Sequence, residues 1–138
     1  TSMRLQILKK EKIIIINDCY NASPASMKSS LDVLNTYTNK RKVAILGTMN
    51  ELGEKAIEAH KDIGKYASNK VDLLIASGEF RNNFKDEFKG KDILTFETKE
   101  ELIKNIKDII KEEDVILVKA SRGKKFESIV NSLEELFI

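Results

Sequence analysis

The chain contains one cysteine, one histidine and one proline, and its net charge is close to zero; each scarcity removes a class of protein. A lone Cys19 cannot build an internal disulfide framework and fits a reducing compartment. With 24 Lys and Arg against 22 Asp and Glu, the net charge of +2 gives no electrostatic case for nucleic acid or an anionic membrane as partner. No apolar stretch approaches the roughly 20 residues that a bilayer span requires. No charged N-terminal segment leads into a signal-like apolar core, so the expectation is a soluble, cytoplasmic protein. Neither G-x-G-x-x-G nor G-x-x-x-x-G-K-[ST] is present to cradle a dinucleotide or a triphosphate. No His, Cys and carboxylate cluster has metal-ligand spacing, and Cys19 has no histidine near it in sequence to activate it. No Pro/Gly/Ser-rich linker or internal repeat divides the chain, so residues 1–138 read as one domain, long enough to bury roughly two-thirds of its unfolded surface.

What is present is a regular alternation of apolar runs and helical patterns. Arg4 to Leu8 and Ile13 to Asn17 flank the polar Lys9 to Lys12, which predicts a short antiparallel hairpin. Ser23 reads as an N-cap with Pro24 at the first helical position, opening a helix that aligns Met27, Leu31 and Leu34. Strands are expected at Val43–Leu46, Leu73–Ala76, Ile93–Phe96 and Val115–Val118. A helix from about Glu54 to Asn69 buries Ile57, Ile63 and Ala67, with Gly64 allowing close packing on the sheet. A short helix occupies Phe80 to Phe88. Thr98 with Glu101 predicts a capping box opening a helix that buries Leu102, Ile106, Ile109 and Ile110. The last helix starts near Lys124, with Phe126, Ile129, Val130, Leu133 and Leu136 on its buried side. Strands alternating with helices of this length imply right-handed crossovers. The expected class is α/β: a three-layer α/β/α, mainly parallel, Rossmann-like sheet with an N-terminal antiparallel hairpin strand.

The segment Asn17-Asp18-Cys19-Tyr20-Asn21-Ala22-Ser23-Pro24 is the most informative. It joins the carboxyl end of a buried, isoleucine-rich strand to the positive end of a helix, where open α/β sheets bind ligands. On the same edge the topology gathers Thr48 to Gly53, Ser77 to Gly78 and Lys119 to Gly123. Cys19 reads as a small core residue, and His60, on a helix, as a surface or packing residue.

Arg4-Leu5, the Asp18-to-Pro24 segment with Ser26-Met27, Gly47-Thr48-Met49-Asn50-Glu51-Leu52-Gly53, His60 with Gly64, and Val118-Lys119-Ala120-Ser121-Arg122-Gly123 stand in the order seen in Mur ligases. Over essentially its whole length the chain resembles the C-terminal domain of that family, and the tyrosine and E-L-G motifs point to the branch that adds D-Ala-D-Ala. Thr48 and Ala120 depart from the usual Asp and Gly.

The resemblance implies the third domain of an ATP-dependent ligase of peptidoglycan precursor synthesis, inactive alone because the other two domains lie outside these residues. ATP and Mg2+ would be held mainly by the central domain and the UDP-MurNAc-tripeptide by the N-terminal one. The tripeptide carboxylate would become an acyl phosphate that the amine of D-Ala-D-Ala attacks. Asp18 would accept from the ATP ribose, with Tyr20 and Asn21 as candidates for contacts to the nucleotide or the dipeptide, and Arg4 would offset charge on the transferred phosphoryl group. Lys119, Ser121 and Arg122 would contact the dipeptide's carboxylate, and Glu51 would be a substrate-facing carboxylate.

Plainer readings stand beside these. Asp18 could close an Asx-turn, Arg4 could be solvated, Ser121 could only cap the last helix, and Glu51 could only be the acidic start of one. Lys124 and Lys125 would sit unfavourably in that last helix's first turn. A free-standing α/β ligand-binding or regulatory module, a sister Mur ligase and folylpolyglutamate synthase are the alternative functions.

Overall fold

In the computed structural model, which describes residues 5–138, β-branched runs become strands and amphipathic stretches become helices, alternating one for one after an opening pair of strands. Chain order is β1 (Gln6–Lys9), β2 (Ile14–Asp18), α1 (Pro24–Asn35), β3 (Lys42–Leu46), α2 (Ala56–Ala67), β4 (Leu73–Ser77), α3 (Arg81–Asp86), β5 (Asp92–Phe96), α4 (Lys99–Ile109), β6 (Val115–Lys119) and α5 (Glu127–Leu136). The sheet runs β1-β2-β6-β3-β4-β5. All neighbours are parallel except β1 and β2, which form the expected antiparallel pair with Gln6 opposite Asn17.

The two-residue period of a strand sends alternate side chains to opposite faces, and the core divides accordingly. Ile15, Ile45, Ile75 and Val118 meet Leu102, Ile106, Ile129 and Leu133 from α4 and α5. Ile16, Leu46, Leu74 and Leu117 meet Met27, Leu31, Ile63 and Phe84 from α1, α2 and α3. Both faces are thus covered, which explains why the central strands read as unbroken apolar runs. Because β2 leads to a helix on one face and β6 to a helix on the other, their carboxyl ends part into a crevice.

Caps and packing refine the expected elements. Ser23 Oγ accepts from the Ser26 N–H at 3.1 Å, and Ser26 Oγ accepts from the Ser23 N–H at 2.9 Å, a complete capping box that fixes the start of α1. Thr98 makes only half of the expected box: its Oγ1 accepts from the Glu101 N–H, while the Glu101 carboxylate turns to the N–H of Glu97. Ile57 and Leu136 are 51% and 42% exposed, against expectation. Each lies in a terminal turn, about 70° from the centre of its helix's buried stripe at 100° per residue. α5 begins at Glu127, not near Lys124, because Lys125 adopts a left-handed φ of 57° that no helix continues through. Lys124 and Lys125 therefore stand outside the helix, and Glu127 supplies an acidic first turn that its dipole favours. Gly64 serves α3, not the sheet: a Cβ there would lie 2.0 Å from the Phe84 carbonyl oxygen.

Candidate functional site

Asp18 ends β2 opposite Lys119, which ends β6, and the pleat turns both side chains to the α1 face. The Lys119 ammonium donates to Asp18 Oδ2 at 2.7 Å and to the Asn21 carbonyl at 2.8 Å, and Ser30 of α1 donates to the same Oδ2 at 2.6 Å. The two side chains are 1% and 11% exposed, so this is a buried ion pair and not an Asx-turn. Among the described residues Asp18 Oδ1 has no hydrogen-bond partner. A cleft of about 310 Å³ opens beside it, lined by Leu5, Tyr20, Asn21, Ser26 and Ser29 together with the ion pair. A carboxylate oxygen among hydroxyls accepts hydrogen bonds from a ligand's donors, such as a diol.

The loop after β3 is held from two sides. His60 is fully buried, stacked on Phe80 at 4.1 Å and edge-on to Phe84 at 5.1 Å. Its Nδ1–H donates to the Ala56 carbonyl at 2.6 Å, which leaves Nε2 to accept the Met49 N–H at 3.0 Å. Desolvation holds its pKa below the usual histidine value, consistent with the neutral tautomer this geometry needs. The next amide, of Asn50, donates to Ser121 Oγ at 2.7 Å, and Ser121 Oγ in turn faces the Ala22 carbonyl at 3.4 Å. Ser121 thus staples loops together, and it does not cap α5, which starts six residues later. Glu51 follows, exposed and at a left-handed φ of 62°, ahead of a 3-10 turn at Gly53–Lys55 instead of inside a helix. The Arg122 guanidinium is exposed and stands 5.1 Å from the Tyr20 ring centroid, within cation–π range.

A second cleft, of about 200 Å³, lies further along the same edge, between Thr48, Ser77, Gly78, Glu79 and the start of α4, with Lys124 and Phe126 on its rim. Two of its hydroxyls come from residues that are 7% (Thr48) and 2% (Ser77) exposed, and a third from the exposed Thr98.

Of the residues singled out from sequence, Asp18, Tyr20, Asn21, Lys119, Ser121 and Arg122 come together around the carboxyl ends of β2 and β6. Glu51 stands apart on its loop, in neither cleft. Arg4 lies outside the described residues. The Cys19 thiol points to the opposite face, donates to the Val118 carbonyl at 3.6 Å, and is pushed up to about 12 by burial: a small core residue. Sequence reasoning missed Ser30, which carries no motif, and gave His60 no role beyond packing.

Residues 3–122 match the model of the Mur ligase, glutamate ligase domain. The UDP-N-acetylmuramoyl-tripeptide–D-alanyl-D-alanine ligase of Bacillus subtilis is 35% identical over 98% of this chain, which covers 31% of that protein. A crystal structure of MurF from Acinetobacter baumannii superposes with a TM-score of 0.88 at 27% identity, over 98% of this chain and 30% of that one. MurF ligase from Thermotoga maritima in complex with ADP gives 0.80 at 28% identity, over 98% of this chain and 31% of that one. The chain thus spans about three-tenths of the length of these relatives.

Proposed function

The chain belongs to the Mur ligase family through its glutamate ligase domain, and on that premise we propose that it is the C-terminal, mobile domain of a cytoplasmic, ATP-dependent ligase joining D-Ala-D-Ala to UDP-MurNAc-tripeptide. The observation that carries this reading is the near-complete match to ligases of that name, over 98% of the chain in both sequence and fold. The gathering of polar groups at one sheet edge supports it, because a closing domain needs its ligand-facing groups on one rim.

ATP supplies the phosphoryl group that activates the tripeptide carboxylate. Against the nucleotide, Asp18 Oδ1 accepts from ribose hydroxyls while Oδ2 stays committed to Lys119 and Ser30. Tyr20 and Asn21 line the same cleft. Arg4 is assigned to the developing phosphoryl charge. Of the cations the resemblance implies for the dipeptide carboxylate, Arg122 is the one with its charge exposed, whereas the Lys119 ammonium is buried. Glu51, exposed on the loop after β3, is assigned to the substrate side of the site. Among the described residues no group of three or more His, Cys, Asp or Glu could hold a metal ion, and Mg2+ is assigned to a central domain.

The test is phosphate release from ATP by the longer polypeptide that carries this sequence, given UDP-MurNAc-tripeptide and either D-Ala-D-Ala or single amino acids. Turnover with the dipeptide alone is expected. Turnover with a single amino acid, on a carboxylate acceptor other than that tripeptide, would move the chain to a sister ligase or to folylpolyglutamate synthase. Micromolar binding of ATP to the 138-residue chain alone, by isothermal titration, would point to a free-standing binding module.

A further inference from the structure

We infer that Lys119 and Ser121, at the carboxyl end of β6, are positioning residues that lock the loop after β2 to the loop after β3. β6 lies between those two strands in the sheet, with Lys119 in register with Asp18 on one side and Leu46 on the other. A side chain from this strand end can reach either neighbour. Lys119 takes the β2 side, gripping the Asp18 carboxylate and the Asn21 carbonyl. An ammonium that is 1% exposed persists only when such partners satisfy it.

Ser121 takes both sides. It accepts the Asn50 N–H from the β3 loop and faces the Ala22 carbonyl of the β2 loop. The backbone reinforces the splice, with the Ser121 N–H donating to the Thr48 carbonyl and the Gly47 N–H to the Lys119 carbonyl, both at 2.9 Å. On the far side His60 holds the Met49 N–H, so adjacent amides are pinned from opposite directions. The consequence is mechanical: Tyr20 and Asn21 on one loop cannot shift independently of Asn50 and Glu51 on the other. A ligand that orders either loop orders both. This goes beyond the ligase reading, since it assigns the two residues to the protein's own loops instead of to substrate.

Amide hydrogen exchange by NMR on this chain, with no substrate present, tests the inference independently of the ligase reading. Ser121→Ala is expected to speed exchange of the Asn50 amide about tenfold, one hydrogen bond's worth. The Ile45 amide in the middle of β3 should keep its rate, and Ser121→Thr, which retains the hydroxyl, should restore Asn50. Lys119→Met is expected to speed exchange at Ala22 by a similar factor; if that variant fails to fold, Asp18→Asn with Lys119→Met removes both charges and is read in its place. An unchanged Asn50 amide, or a uniform rise at Asn50 and Ile45 alike, would overturn the inference.

Discussion

Removing Asp18 should destabilise the fold more than it disturbs any ligand, because the Lys119 ammonium is 1% exposed and Asp18 is its only carboxylate partner among the described residues. Breaking a buried pair on one side costs about 3–5 kcal/mol, since the surviving charge keeps its desolvation penalty without its partner. In Asp18→Ala that ammonium retains one acceptor, the Asn21 carbonyl. Adding Lys119→Met removes the stranded charge, leaving the Asn21 carbonyl short of a partner at about 1–2 kcal/mol, while the Ser30 hydroxyl keeps the Ser26 carbonyl at 3.0 Å. The double variant should therefore be more stable than Asp18→Ala by about 2 kcal/mol, a reversal that additive effects cannot give. Urea unfolding followed by far-UV circular dichroism reads this directly. With a slope of about 2 kcal/mol per molar, Asp18→Ala lowers the midpoint by about 2 M and the second substitution recovers about 1 M. A loss below about 1 kcal/mol for Asp18→Ala, or a double variant as unstable as the sum of the singles, would refute the reasoning. The result also governs kinetics: a raised apparent KM for ATP in Asp18→Ala counts as a binding effect only after correction for the folded fraction.

Gly64→Ala should lose about 1–3 kcal/mol despite the better helix propensity of alanine, because the new methyl lies 2.0 Å from a backbone oxygen and α3 must retreat. A melting temperature equal to or above the parent's would contradict the close approach. Stability should also fall with pH below about 6.5 on account of His60. Its folded pKa is depressed, so the unfolded chain binds the proton first; the contribution is full above the unfolded value and is lost as pH falls toward the folded one. Urea titrations at pH 7.5 and 5.5 should show this drop in the parent and a smaller one in His60→Gln; equal drops would remove His60 as the cause. Cys19 should resist a thiol-specific aromatic disulfide at pH 8 in the folded chain and react at once in denaturant, and rapid reaction under native conditions would contradict its burial.

How much of this was legible in the sequence depended on whether the signal was local. Ile13 to Ile16, Ser23 with Pro24, and the alternation of runs fixed element type and sheet class from neighbouring residues alone, and the loop edge followed from topology. The expected antiparallel hairpin formed between β1 and β2, with its first strand at Gln6–Lys9. The start of α5 failed because composition continues through Lys124 and Lys125 while the backbone turns left-handed. The partner of Gly64 was misjudged since an intrahelical glycine reveals that something approaches, but not what. Lys119 carried the hardest lesson: lysine reads as solvent-facing, and the carboxylate that permits its burial lies 101 positions earlier. His60 was similar, its function resting on an amide eleven positions away that no side-chain pattern announces.

The sheet order has a consequence for how the molecule must assemble. β2 and β3 follow one another in sequence yet never pair, because β6, made after every other strand, is what separates and joins them. During synthesis the first two strands and the middle three can form only two ribbons, each offering a bare inner edge until Val115 to Lys119 emerges and zips them shut. Any product that stops short of that segment holds two open edges and only part of the rim, so truncation before Val115 is expected to yield aggregate in place of a smaller working domain.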